Sequence, residues 1–232
     1  MRTRIQVFAR APVSGEAKTR LIPRLGANAA ARLQMKLTEH ALAIARSAGF
    51  GPVEFRAIEL GPIELGPVEQ GPVELWCSPD CTHPSFQAFS DQGIVLRDQG
   101  SGSIGERMHR ALQHALLSGD SAVLIGSDCP SLTAQDLSSA AQALDKETDF
   151  CFIPAEDGGY VLIAAAPHAL RSLPRVFENV DWGTSNVMAQ TRQRLQESGR
   201  TWQELTPRWD VDRPEDYDRL LREQPDLLKA DQ

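Results

Sequence analysis

Lysine is scarce in this chain. There are four, against 20 arginines, and the 24 cations are outnumbered by 31 Asp and Glu, for a net charge of -7. An acidic balance of this kind argues against a general nucleic-acid binder or a protein that lies on anionic membranes, because either needs a basic face. Long apolar runs are missing too. The longest, Tyr160 to Ala166, falls far short of the ~20 residues of a spanning helix, so no membrane span is expected. The basic stretch Met1 to Arg10 is cut by Gln6 and Arg10 before it reaches signal-peptide length, which makes a cytoplasmic location the expectation. Cysteine is limited to Cys77, Cys81, Cys129 and Cys151, with no disulfide-framework spacing. Cys77-x-x-x-Cys81-x-His83 lacks a second ligand pair, so packed or surface thiols are a plainer reading than zinc.

What the chain does have is an ordinary globular composition, 41% hydrophobic over 232 residues, enough for one domain over 1–232 with its own core. Short β-like runs alternate with helix-period runs. Strands are expected at Ile5–Ala9, Val73–Cys77, Ile94–Arg97, Ala122–Ile125, Phe150–Pro154 and Tyr160–Ala164. Helices are expected from Asn28 to Gly49 and over Gly105–Leu117, Ala134–Leu144, Ser185–Glu197 and Pro214–Glu223. Strands separated by helices imply crossover connections, hence an α/β, doubly wound fold: a mostly parallel sheet with helices on both faces. Five tandem pentads of the Gly-Pro-Val-Glu type, from Gly51 to Leu75, break the pattern. A Gly-Pro every fifth residue opposes helix and strand alike, so an insertion at about 51–72 is expected, either a surface loop or an arm that pairs with a partner.

Several motifs carry candidate chemistry. Arg10, Lys18, Arg20 and Arg24 put four cations into the loop after the first strand, opposed only by Glu16. In a doubly wound sheet such a loop borders the ligand crevice, and its cations suit phosphate. Asp128 sits at the end of the fourth strand, where Mg²⁺ held by one or two carboxylates plus substrate phosphates would be a natural partner. Asp210 and Asp212, at alternate positions, would face one way in an extended segment and reach a common cation; alternatively Asp212 caps the last helix with Glu215 completing a capping box. Glu156-Asp157-Gly158-Gly159 is a tight-turn signal whose glycines also allow a ligand close to the backbone. Gly100-x-Gly102-x-x-Gly105 has the spacing of a dinucleotide fingerprint, but it follows a middle strand with no hydride-transfer residues near Asp128.

The segments Phe8–Leu21, Gly105–Met108, Ile125–Pro130, Pro154–Tyr160 and Asp210–Asp212, in this order, closely resemble a bacterial family grouped with the GT-A glycosyltransferases and long catalogued as a domain of unknown function. The layout is also similar to 2-phospholactate and phosphoenolpyruvate guanylyltransferases and, more distantly, to molybdopterin cofactor guanylyltransferases. The resemblance implies a nucleotide-diphospho-sugar transferase fold and divalent-metal chemistry with Mg²⁺ or Mn²⁺. Carried over, it makes Lys18 and Arg20 phosphate ligands, Asp128, Asp210 and Asp212 metal carboxylates, and Asp157 to Gly159 a substrate loop. Gly183 and Arg213 depart from the family's usual Ser and Thr. The leading expectation is therefore a transferase that moves a sugar from a nucleotide-sugar donor to a small acceptor. The close alternative is a guanylyl- or cytidylyltransferase acting on a small phosphorylated acid with release of pyrophosphate, and the lesser one is a nucleotide sensor without catalysis. A homo-oligomer is compatible with each of these readings.

Overall fold

The structure is a computed structural model, and it describes residues 2–48, 70–144 and 148–229. Seven strands make one sheet: β1 (Thr3–Arg10), β2 (Gln70–Ser78), β3 (Val95–Asp98), β4 (Ser121–Gly126), β5 (Phe150–Pro154), β6 (Tyr160–Ala165) and β7 (Trp202–Glu204). Their order is β3-β2-β1-β4-β6-β5-β7. Only β6 runs against its neighbours β4 and β5, and every other pairing is parallel, as the alternating element pattern implies. The helices are α1 (Ile22–Leu25), α2 (Ala27–Ser47), α3 (Pro84–Ser90), α4 (Ile104–Leu117), α5 (Ala134–Ala143), α6 (Leu173–Phe177), α7 (Val187–Glu197) and α8 (Pro214–Glu223). No helix among the described residues is long and apolar enough to cross a membrane.

Alternation along the strands divides the core into two layers. Ile5, Val7 and Ala9 of β1 join Leu42 and Ala45 of α2, Phe86 of α3 and Leu137 of α5 on one face. Phe8 of the same strand joins Met108 and Leu112 of α4, Val176 of α6 and Met188 of α7 on the other. A third cluster of Leu21, Leu33, Leu37, Trp209, Val211 and Leu220 ties the loop after β1, α2 and α8 to the segment before α8. This last cluster positions the site, because it brings chain from both ends of the sequence to the carboxyl edge of the sheet.

The pentad tract lies mostly outside the described residues, and its last repeat runs into the strand expected at Val73–Cys77. β2 begins at Gln70 and runs through Gly71 and Pro72, with Val73 opposite Ile5 and Glu74 opposite Gln6. The strand expected at Val73–Cys77 is thus present, and it starts three residues earlier, inside the expected insertion, with Gly71 and Pro72 as part of it. Glu74 is fully buried, and it is held there by Arg4 (3.1 Å), Arg97 (2.9 Å), Gln6 (3.2 Å) and Trp76 Nε1 (3.0 Å). Burial pushes its carboxyl up, but hydrogen bonds from Arg97, Trp76 and Gln6 and the Arg97 charge outweigh that and leave it below its ordinary value. Such partners make a buried carboxylate tolerable.

Candidate functional site

A cleft of about 650 Å³ opens at the carboxyl ends of β1 to β4. Phe8 to Arg10 follow from β1, Ser78 from β2, Gln99 from β3 and Gly126 to Asp128 from β4, which is the crevice position expected of a doubly wound sheet. Arg10, Lys18, Arg20, Asp128 and Asp212 all line it. Lys18 takes a left-handed conformation (φ 49°) that turns its side chain inward, where it is 4% exposed. Its Nζ donates to the carbonyl of Val211 (2.7 Å) and stands 2.9 Å from Asp128 Oδ1. A cation of the chain's first loop thus pairs with the acid just beyond β4.

Asp128 is fixed from several sides. The Ser127 hydroxyl donates to its Oδ1 (3.3 Å), and Gln34 of α2 donates to that hydroxyl (3.1 Å). The Asp128 carbonyl accepts from Val211 N (2.9 Å), while Ser131 donates to the Trp209 carbonyl (3.1 Å). These bonds stitch the 209–211 segment to the end of β4 and carry Asp210 toward Asp128. The Asp210 carboxyl is pushed up to about 6, first by burial, then by the negative charges of Asp157 and Asp128, with Lys18 acting the other way. Among the described residues no three His, Cys, Asp or Glu side chains form a finished metal-binding group. A donor set of two carboxylates is nonetheless what Mg²⁺ uses when phosphate oxygens and water complete its shell, and a half-buried acid beside two others is chemically suited to a divalent cation.

The remaining expected residues fall into different roles. Arg20 is paired with Asp212. Asp212 does not cap α8. The backbone N–H groups of Asp212 and Arg213 donate to Asp216, and Asp216 rather than Glu215 is the acid that closes this corner. Glu156 is gripped by Arg219 of α8 (2.7 and 3.3 Å), whose guanidinium also lies over Trp209 (4.5 Å). Asp157 Oδ1 accepts from Gly159 N (2.9 Å), closing the turn between β5 and β6. Gly158 has φ +96° and a Cβ there would lie 2.1 Å from the Ser185 carbonyl oxygen, so this glycine is required by packing. Gly159 is the open one, since its Cβ would meet only Asp157 Oδ1, at 3.3 Å.

The glycine fingerprint has a structural reason as well. Gly105 is needed because the Trp182 indole lies 2.5 Å from where its Cβ would be, and Ser103 and Glu106 form a capping box that starts α4. Cys77, Cys81 and His83 form no metal group either: Cys77 is buried, and His83 Nδ1 accepts from Ser85 N. The cleft also holds residues that no motif announces. Gln99 is buried and donates to the Ala9 and Trp76 carbonyls (3.3 and 2.8 Å), and its Oε1 accepts from Arg107 (2.8 Å). Arg107 is held below its ordinary value by burial and by the charges of Arg10 and Arg110. The one signal in the sequence that could have flagged this corner is a polar residue close behind a predicted strand, as Gln99 is behind Ile94–Arg97.

Comparison with known proteins places this geometry. A candidate nucleotide-diphospho-sugar transferase from Desulfovibrio desulfuricans G20 shares the fold with a TM-score of 0.74 at 25% identity, over 91% of this chain and 82% of its own. CMP:2-keto-3-deoxy-manno-octonic acid synthetase complexed with CTP matches at a TM-score of 0.58 and 10% identity, over 98% and 100% of the two chains. A manganese complex of a Mycobacterium tuberculosis H37Rv protein matches at 0.50 and 18%, over 96% and 98%. No curated protein matches in sequence. The fold is thus that of the nucleotide-diphospho-sugar transferases. The sequence profile of one bacterial family fits residues 64–184, more than half of the chain, from within the pentad tract through β2 to β6 and on to Thr184. The chain belongs to that family, described as an uncharacterized protein conserved in bacteria (DUF2064).

Proposed function

We propose that this protein is a metal-dependent transferase that passes a glycosyl unit from a nucleotide-sugar donor to a small acceptor. The observation that carries the reading is the gathering of Arg10, Lys18, Arg20 and Asp128 in one cleft at the carboxyl ends of β1 and β4. Arg10, Lys18 and Arg20 lie where a donor diphosphate would accumulate charge as it leaves, and preorganised cations act most strongly on charge that develops during reaction. Asp128 and Asp210 would hold Mg²⁺ or Mn²⁺, which when bound neutralises the leaving phosphates. The manganese bound by the Mycobacterium neighbour supports the choice of metal. Donor phosphates entering here give Lys18 a second anion beside Asp128, so Lys18 and Arg20 bind the leaving group rather than move a proton. Asp157 and Gly159 border the acceptor side, with Gly158 and Glu156 holding that loop in place.

A second reading, nucleotidyl transfer onto a small phosphorylated acid, is favoured by the CTP-bound neighbour. It uses the same cations and differs in the bond broken. The test is product analysis: protein, Mn²⁺ and a panel of nucleotide sugars or nucleoside triphosphates with small acceptors. Release of nucleoside diphosphate supports glycosyl transfer, whereas pyrophosphate supports the second reading. Nucleotide binding without either product, under every metal, would leave only a sensor.

A further inference from the structure

The charged side chains of the main cleft fall into two groups. Lys18 with Asp128 (2.9 Å) and Arg20 with Asp212 stand on the side of α2, whose Gln34 reaches Asp128 through the Ser127 hydroxyl, and within each pair the charges cancel. Arg10 and Arg107 stand on the side of α4. By alternation along β1, Arg10 shares the face of Phe8, which packs with Met108 of α4, the residue after Arg107. Among the described residues neither guanidinium has an ion-pair partner, and Glu16, the remaining acid of the cleft wall, bonds to neither. Arg107 feels like charges instead: burial first, then Arg10 and Arg110, hold it below its ordinary value. Gln99, 3% exposed, fixes this arrangement. Its amide N–H groups go to the Ala9 and Trp76 carbonyls, which leaves Oε1 to accept from Arg107 (2.8 Å) and ties that guanidinium to the residue before Arg10.

We propose that Arg10 and Arg107 form a subsite for an anionic group of the acceptor, a phosphate or a carboxylate. The inference rests on the transferase reading and adds the acceptor's class: a small hydroxylated phosphate ester or acid rather than a neutral sugar. Two cations held near each other without a counter-ion repel, and an anion between them relieves that repulsion. Guanidinium forks match the paired oxygens of either group. The chain carries a net charge of -7, so its general field does not draw anions in, and the attraction has to be local. Placement separates this group from the donor. The donor's leaving phosphates belong with Lys18, Arg20 and Asp128, and Arg10 borders both ligands, whereas Arg107 belongs to α4 and has no part in the donor reading. The start of α4 also adjoins the acceptor loop, since Trp182 rests on Gly105 and meets Tyr160 (6.4 Å), the residue directly after Gly159.

The test uses the full chain with Mg²⁺ and saturating nucleoside diphosphate, whichever of UDP, GDP, CDP and ADP binds in calorimetric titration. Glycerol 3-phosphate, lactate and glycerol are then the probes, followed by ligand-observed NMR. Glycerol 3-phosphate or lactate should bind at least tenfold more tightly than glycerol, and the tighter of the two tells a phosphate acceptor from a carboxylate one. Arg107→Gln should weaken the anionic probe at least tenfold while nucleotide affinity stays within twofold of the parent. Arg110→Gln makes the same charge change on the same helix outside the cleft lining, and it should alter probe binding less than twofold. Should Arg107→Gln fail to fold, Arg107→Lys, which keeps the charge without the fork, must still weaken the anionic probe at least threefold. Equal binding of all three probes, anion binding unchanged in the Arg107 variant, an equal loss in Arg110→Gln, or displacement of the probe by nucleotide would overturn the proposal. Anion binding that depends on Arg107 in a protein that binds no nucleotide under any metal would instead bring down the transferase reading.

Discussion

Replacing Asp210 by Asn should make the metal-free protein more stable, and the gain should depend on pH. Asp210 titrates near 6 in the fold, because burial and the charges of Asp157 and Asp128 oppose its ionisation, against an ordinary value of 3.8. A folded value above the unfolded one means that the folded state holds the proton longer, so ionisation costs stability. Below about pH 4 both states are protonated and nothing is lost. The penalty then grows as pH rises and is complete above pH 6. A shift of about two units corresponds to about 3 kcal/mol. Partial exposure of Asp210 to solvent screens this to about 1–2 kcal/mol. Asn keeps the shape without the charge, so Asp210→Asn should melt about 3–6 °C above the parent at pH 7.5 in chelator, the scale expected for a domain of this size. At pH 4 the two melting points should nearly coincide. With Mn²⁺ and a bound nucleotide the order should reverse, because ligand at 100 times its Kd adds about 2.7 kcal/mol to the parent. Differential scanning calorimetry across pH, with and without ligand, reads all of this. A constant difference between the two proteins from pH 4 to 7.5 would refute the electrostatic account.

Lys18→Met should destabilise the metal-free protein by about 1.5–3 kcal/mol in chemical denaturation, since a nearly buried ammonium loses hydrogen-bonded partners at Asp128 and Val211. Arg20→Ala should leave apo stability within about 0.5 kcal/mol, because its pair with Asp212 is exposed, yet weaken nucleotide binding by about 1.5–3 kcal/mol in calorimetric titration. Glu74→Gln should cost about 3–5 kcal/mol at pH 7, with Arg4 and Arg97 left facing a neutral group. In the parent, the Glu74 contribution is present above its unfolded value near 4.3 and fades as pH falls through the lower folded value, so the two proteins should converge in acid unfolding curves. Gly158→Ala should lower the melting temperature markedly, by at least about 2 kcal/mol of strain, while Gly159→Ala should leave it close to the parent's.

Periodicity was enough to place the six longer strands and five longer helices, because each buries a stripe whose spacing is written locally, as in Ile5-Val7-Ala9 or the apolar positions of α2. It missed α1, α3, α6 and β7, which are four, seven, five and three residues long, too short for a period to emerge. It placed the strand at Val73–Cys77 but not its start at Gln70, because Gly71-Pro72 opposes a ladder locally, and only Arg4, Arg97 and Gln6, brought alongside by tertiary packing, make the buried Glu74 acceptable in β2. The cations of the first loop and Asp128 were legible as chemistry, since their residue types and their place after strands suffice to suggest an anion. Their pairing was not. That Lys18 meets Asp128, that Arg20 takes Asp212, and that Asp210 is drawn beside Asp157 depends on Trp209 and Val211 packing against Leu21, Leu33 and Leu37. Contacts between residues nearly two hundred positions apart leave no periodic trace in sequence, because the side chains that enforce them are ordinary apolar residues whose partners are chosen by the fold.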